Sequence, residues 1–202
     1  MAERTLTDNV TLLCCSSDQL YPYLDAAARL RIEVFRSYPY LYDGTAAYER
    51  EYLQHYLDCP QSIFVCALVG EKVVGISTAL PLTAADADFQ RPFLDAEMPL
   101  ADYFYLGESV LLPQYRGRGI GHVFFDHREA HARKLGYRMS TFCSVLSPDC
   151  HPHQPTDYRS NESFWRKRGY NPTGLHAHFD WKEVDQAEET SHELEFWSRS
   201  LI

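Results

Sequence analysis

Runs of apolar and polar positions along the chain predict an ordered series of elements. NVTLLCC, residues 9–15, reads as a first strand. Ser16 and Gln19 then fit a capping box, and Leu20, Leu24, Ala27, Val34 and Phe35 recur at near-helical spacing, so a helix to about residue 36 follows. SYPYLYDG, residues 37–44, ends it with Pro39 and Gly44, and TAAYEREYLQHYL, residues 45–57, is helical again. SIFVCALVG and KVVGISTALPL are two β-rich runs joined at Glu71 and Lys72 near Gly70, which predicts a hairpin. Residues 83–101 read as an acidic connection with Pro92 and Pro99. DYFYLGESVLL, 102–112, is a strand, 119–135 a helix, and YRMSTFCSVL, 137–146, the next strand. A long polar loop, SPDCHPHQPTDYRS, leads to a short helix at 161–168; HAHFDW, 176–181, and HELEFW, 192–197, close the chain as strands. There is no internal repeat and no low-complexity linker, so one domain over 1–202 is expected. Hairpins come first and a βαβ unit later, which predicts a mixed sheet.

Composition narrows the class. Hydrophobic residues make up 45% of the 202, enough for a sizeable core. No apolar run approaches the roughly 18 residues that cross a bilayer, and the start, MAERTL, lacks the apolar stretch of a secretory signal, so a cytoplasmic protein without a membrane partner is expected. None of the six cysteines forms a C-x-x-C pair, and several lie in apolar runs, which suits buried free thiols. A formal net charge of −9 argues against nucleic-acid binding and is compatible with a cationic small substrate.

Candidate chemistry starts at PQYRGRGIGHVFFDH, residues 113–127. A dinucleotide fingerprint needs a third glycine at 122, where His stands, and no Gly-Lys-Ser/Thr of a P-loop follows. What is left is a glycine turn whose amides point outward at a helix N-terminus, a geometry that binds an anion. The plain alternative is a tight turn with solvated arginines.

The stretch resembles motif A of the GNAT superfamily of N-acetyltransferases, whose core is Gln/Arg-x-x-Gly-x-Gly/Ala; Arg116, Gly119 and Gly121 occupy those positions. The wider form runs from Leu111 through Pro113 to Gly121, and FWRKRGY, 164–170, is similar to the family's second helix signature, Leu-Tyr-x-Lys-x-Gly-Phe. The order of elements fits from residue 9 to about 197. The resemblance implies an α/β fold, a mixed, mostly antiparallel central sheet of six or seven strands flanked by helices, with splayed parallel strands 4 and 5. It implies acetyl-CoA as cosubstrate, its pyrophosphate held at Arg116, Gly117, Arg118, Gly119, Ile120, Gly121 and His122, and its pantetheine arm paired with the backbone of Val110 and Leu111. Gly107 is placed for the bulge that helps the strand bend away. Asn161 would reach the pantetheine amides, with a plain N-cap as its alternative, and Trp165 stands where many relatives carry the tyrosine that protonates the thiolate.

The implied reaction is acetyl transfer to an amine by direct attack in a ternary complex; the alternatives are a non-catalytic acyl-CoA sensor, or transfer of another acyl chain or to a hydroxyl. An amine attacks only as the free base, so a proton acceptor is useful. Strand alternation places Leu106, Glu108 and Val110 on one face, where desolvation raises a carboxyl's pKa. Relatives place a catalytic Glu on this strand, so Glu108 is the candidate base; the alternative is a buried Glu satisfied by backbone or Arg contacts. An indole cannot titrate, so Tyr158 or solvent would protonate the thiolate, with Tyr170 in the core. Cys143 on the next strand keeps a ping-pong route in view.

Tyr38, Tyr40 and Tyr42 would wall the acceptor pocket or pack in the core, and loop 147–160, with Asp149, His151, His153 and Asp157, is placed to select substrate. The acids of 83–101 would attract a cation or sit on a solvated loop. His127 and His131 in HREAH lack the order of HExxH, and Cys150, His151 and His153 lack a fourth ligand, so no metal is expected. The acceptor, a small-molecule or peptide amine, is not written in the sequence, and a homodimer is compatible with it.

Overall fold

A computed structural model describes residues 3–6, 9–15, 17–147 and 151–202. The strands are β1 (Glu3–Leu6), β2 (Val10–Cys15), β3 (Ile63–Val69), β4 (Lys72–Pro81), β5 (Tyr103–Leu111), β6 (Met139–Val145), β7 (Asn171–Lys182) and β8 (Glu189–Ser200). The helices are α1 (Ser17–Leu20), α2 (Leu24–Phe35), α3 (Ala46–Asp58), α4 (Ala87–Asp95), α5 (Ile120–Lys134) and α6 (Glu162–Lys167). All strands join one sheet in the order β1-β2-β3-β4-β5-β6-β8-β7. The pairing is antiparallel throughout except between β5 and β6.

This is the expected mixed sheet with its parallel pair, extended by one strand. Residues 3–6, which the sequence pattern left without an element, pair with β2 at the sheet edge, so the expected strands 4 and 5 are β5 and β6. The hairpin closes at Gly70, where φ is +59°, and the helices over 45–57 and 119–135 form within a residue or two of expectation. Thr45 caps α3, its hydroxyl accepting from the Tyr48 amide at 3.3 Å.

Two segments differ from the reading of the sequence. The helix expected up to about residue 36 is interrupted at Tyr21–Tyr23 by a 3-10 turn, because Pro22 removes a donor and crowds the preceding turn; Ser16 of the expected capping box lies outside the described residues. Residues 83–101 are not a plain connection, since they carry α4 with Pro92 inside it. Phe89 and Phe93, four apart, face the sheet: Phe89 lies 4.7 Å from Tyr105 and 4.5 Å from Phe179, and Phe93 4.9 Å from Tyr103 and 5.0 Å from Phe196. Burying Phe93 contributes about 1.5–3 kcal/mol and the half-buried Phe89 adds to it, which offsets the ~3 kcal/mol a proline costs inside a helix.

One irregularity positions the site. Ser77 pairs with Ser109 but Ala79 with Leu106, so Gly107 and Glu108 together oppose Thr78 in a β-bulge. The expectation for Gly107 fits this register. A Cβ there would run into the Tyr56 hydroxyl and come within 2.6 Å of Thr78 Oγ1. Gly107→Ala is expected to destabilise the fold by about 1–3 kcal/mol, seen as a lower urea midpoint at unchanged slope. The extra residue also breaks the alternation. Phe104 packs on His131 and Tyr137, at 5.7 and 5.0 Å, and Leu106 shares its face by alternation. Ser109 meets Arg128 of α5, while Glu108 meets Arg31 of α2. The expected common face for Leu106 and Glu108 is therefore corrected: the bulge turns Glu108 to the α2–α3 side of the sheet.

Candidate active site

β5 and β6 pair only at Tyr103–Met139, Phe104–Ser140 and Tyr105–Thr141. Beyond that, β6 runs with β8, and β5 keeps β4 on one side only. The two strands thus diverge, leaving a wedge along the stretch that contains Glu108, Val110 and Leu111. Not every polar group there is open. The Leu111 carbonyl accepts from Arg116 Nε at 3.1 Å, and the Glu108 carbonyl from Arg128 Nη1 at 3.2 Å.

At the end of β5 the chain makes a 3-10 turn, Pro113–Tyr115, and enters the glycine turn. Gly117 and Gly119 have φ of +74° and +81°, a left-handed backbone that suits glycine, and a Cβ on either would meet nothing within 4 Å. Gly119 is the N-cap of α5 and supplies no side-chain cap. The amides of Ile120 and Gly121, in the first helical turn, have no partner among the described residues, and the helix dipole adds positive potential there. The His122 amide differs from expectation, since it is already bonded to the Gly119 carbonyl at 3.0 Å. Its ring lies 4.8 Å from Phe164, with Arg168 Nη1 3.3 Å from Nδ1. Arg116 folds back onto Leu111, and Arg118 Nη2 donates to the Gln114 carbonyl at 2.8 Å with its guanidinium over Tyr115. Both arginines stay beside the glycine turn while bonding carbonyls just before it.

Glu108 is 6% exposed, but its neighbours are not the apolar pair that alternation suggested. Arg31 Nη1 lies 2.7 Å from Oε2, and the Tyr52 hydroxyl donates to the same oxygen at 3.4 Å. Arg31 Nε bonds Glu49 Oε2, so one guanidinium bridges two buried carboxylates. Burial works to lower the Arg31 pKa, but Glu108, Tyr52 and Glu49 outweigh it and hold the group well above its usual value. Glu108 Oε1 is buried without a hydrogen-bond partner among the described residues, while the Tyr42 phenol lies against Glu49. Tyr52 and Tyr56 share a 3.1 Å hydrogen bond, and burial first, then nearby ionisable groups, raises both phenols.

Arg128 secures the bulge from the other face. It is 1% exposed and donates to the carbonyls of Phe124, Thr78 and Glu108 at 3.2–3.3 Å and to Ser109 Oγ at 2.8 Å. Burial pulls its pKa down to about 10, which leaves it charged at neutral pH. In the sequence this residue sits inside HREAH, where the histidines drew attention. They lie apart: His127 Nδ1 is 3.2 Å from Cys14 Sγ, and His131 Nε2 2.9 Å from the Gln61 carbonyl.

The acceptor-side residues are partly brought together. Tyr38 lies edge-on to Tyr158 at 4.7 Å and 5.7 Å from His151, so three expected residues form one wall. Tyr40 packs on Phe35 at 4.6 Å and takes the Trp181 indole N–H on its carbonyl at 2.9 Å. Its phenol is raised by burial and then by Cys143, with Arg31 opposing and smaller effects from Tyr158 and Glu108. Tyr42 turns to Glu49, its phenol raised by burial, then by the Glu49 charge and a hydrogen bond to that carboxylate, and its ring fills the space a Cβ on Gly44 would need. Cys143 lies 3.4 Å from the Tyr105 hydroxyl, and burial pushes its thiol up to about 12. It is a neutral thiol at physiological pH, a poor acyl carrier. Tyr158 is raised by burial, then by Tyr38 and Glu162, and keeps its proton. His153 pairs with Asp185 at 2.8 Å; Asp149 and Cys150 lie outside the described residues.

On α6, the Glu162 amide bonds Ser160 Oγ at 3.1 Å, and Asn161 makes no side-chain cap, which leaves its exposed amide for other contacts. Trp165 rests on Phe142 and Trp197 at 5.0 and 5.3 Å. Tyr170 is core, as its sequence position suggested, bonding Ser140 at 2.7 Å and Glu129 at 3.1 Å. Sequence reasoning missed Arg31, Glu49 and Arg128. The available signal was a charge on the buried face of a helix: Arg31 stands four residues from Ala27 and one from the buried Leu30. No helix among the described residues is long and apolar enough to cross a membrane.

Solved structures share this architecture. An N-acetyltransferase from Staphylococcus aureus Mu50 superposes with a TM-score of 0.62 at 13% identity, over 96% of this chain and 100% of that one. A protein from Salmonella typhimurium, solved with acetyl-CoA as its cofactor, gives 0.60 at 10% identity over 96% and 95%. A ribosomal-protein-alanine N-acetyltransferase from Brucella melitensis gives 0.61 at 12% identity over 94% and 98%. At such identities they establish the fold. Comparison with curated protein sequences found no match. The sequence profile of the acetyltransferase (GNAT) family matches residues 27–152, from α2 through the bulge, the glycine turn and β6. The chain belongs to the acetyltransferase (GNAT) family and is an acyltransferase.

Proposed function

We propose that residues 1–202 act as one domain that transfers the acetyl group of acetyl-CoA to an amine by direct attack in a ternary complex. The observation that carries this is the open glycine turn at the mouth of α5, beside the wedge where β5 and β6 part. The amides from Gly117 to Gly121 take the pyrophosphate, Val110 and Leu111 run along the pantetheine arm, and Asn161 and Trp165 border it from α6. The amine enters along the wall of Tyr38, Tyr158 and His151, next to Tyr40. Arg31 occupies one oxygen of Glu108, leaving Oε1 to accept a proton, directly or through water. The amine nitrogen then bonds the carbonyl carbon, the carbon–sulfur bond breaks, and the thiolate takes a proton from Tyr158 or solvent. The neutral Cys143 thiol argues for direct attack over a covalent acyl-enzyme.

Glu108→Gln is expected to lower kcat by about 10²–10⁴ while leaving acetyl-CoA affinity within about twofold. Thiol release across an amine panel, together with calorimetric titration of acetyl-CoA, checks both. Wild-type turnover and pH profile in that variant would remove Glu108 from the mechanism. Acetyl-CoA binding with no thiol release on any amine would favour a sensor.

A further inference from the structure

We infer that the acceptor pocket takes a cationic amine that bears no carboxylate, because the buried Glu49–Arg31–Glu108 cluster has one negative charge to spare and an unbonded oxygen on Glu108. The inference rests on the transferase reading and names the class of acceptor. Two carboxylates share one guanidinium, with Glu49 0% and Glu108 6% exposed. Glu108 Oε1 has no donor among the described residues, although a buried carboxylate oxygen normally finds one, whereas Glu49 has the Tyr42 hydroxyl beside it. The missing donor is an ammonium.

The second buried cation near Glu108, Arg128, spends its guanidinium on the carbonyls of Phe124, Thr78 and Glu108 and on Ser109 from the other face of the sheet. Of the charged groups that act most on the hydroxyls of Tyr40, Tyr42, Tyr52 and Tyr56, Arg31 is the one cation among the described residues. It is already outnumbered by its two partners. Its guanidinium lies 4.1 Å above the Tyr52 ring and 5.1 Å from Phe35. Those faces show that the lining accepts a cation on aromatic surface. Tyr52, Tyr56 and Tyr105 also line a narrow cleft between α3 and α4 whose mouth holds Asp86, 3.6 Å from His55. An ammonium at Glu108 therefore meets aromatic rings beside the carboxylates. An α-amino acid would bring its carboxylate within a few ångströms of the buried Glu108.

Three pairs that differ only by the carboxylate test this: propylamine with 2-aminobutyrate, phenethylamine with phenylalanine, and putrescine with ornithine. Each is titrated calorimetrically into the CoA-loaded protein. At least one amine is expected to bind, and every one that binds should exceed its carboxylated partner by about 30-fold or more. Glu49→Gln, which brings the cluster to neutrality, should cut that ratio about tenfold with CoA affinity unchanged; the wild-type comparison stands even if this variant does not fold. Equal or tighter binding of a carboxylated partner, or no binding of any amine, overturns the inference. If CoA itself fails to bind, the reading of the glycine turn fails instead.

Discussion

Gly119→Asp is expected to lower acetyl-CoA affinity by at least about 100-fold. Its backbone sits at φ +81°, where a side chain costs roughly 1–2 kcal/mol, and its missing Cβ points into open space at the helix mouth. An aspartate there would place a carboxylate where a diphosphate is proposed to lie, a like-charge contact worth several kcal/mol. Each ~1.4 kcal/mol is tenfold in affinity, so the loss should exceed what backbone strain alone produces. Gly119→Ala separates the two effects. It carries the strain without the charge, and should show a modest fall in melting temperature with a partial loss of affinity. Calorimetric titration reads both; an unchanged acetyl-CoA affinity in Gly119→Asp would refute the assignment of the turn.

Arg31→Met should be the most damaging single change to stability. It leaves Glu49 and Glu108 buried and facing each other without their cation. Breaking such a cluster from one side costs about 3–5 kcal/mol, a large share of a total that is typically ~5–15 kcal/mol. For a chain of this length that is a fall of roughly 10 °C in melting temperature. Adding Glu49→Gln and Glu108→Gln to Arg31→Met should restore most of the loss, because no charge is then left in the cluster. A urea series on the single and triple variants checks this. A single variant within 1 kcal/mol of wild type would show that water reaches the cluster.

Those two residues mark what the sequence displays and what it conceals. The glycine turn is local: its residues are consecutive, their backbone need is specific to glycine, and the helix after it has clear periodicity, so Gly117 and Gly119 were legible without a structure. The hairpin at Gly70 was legible for the same reason. Arg31, Glu49 and Glu108 come from three separate elements, and only packing shows that one guanidinium serves both acids. Glu108 is legible from its strand and from the resemblance, and its alternative of an Arg contact matches Arg31, but the apolar neighbours that alternation gives it do not hold, since alternation assumes a regular ladder and the bulge inserts a residue. α4 was hidden by Pro92, whose local penalty is visible in the sequence while the tertiary contacts of Phe89 and Phe93 are not. β1 pairs only at an edge through four residues, too short a run to display a period.

Arg128 gives the molecule a ruler. It stands eight residues after Ile120 on the same helix, about 12 Å along the axis at 1.5 Å per residue. One end of that span carries the glycine turn; the other grips the carbonyls of Thr78 and Glu108 through a single guanidinium nitrogen. A straight helix does not stretch, so tilting the turn drags the kink in β5 along with it. The spacing between where a diphosphate is proposed to be held and where a proton is proposed to be taken is thus set by one rod, and the loops around it are free to vary in length without disturbing that gauge.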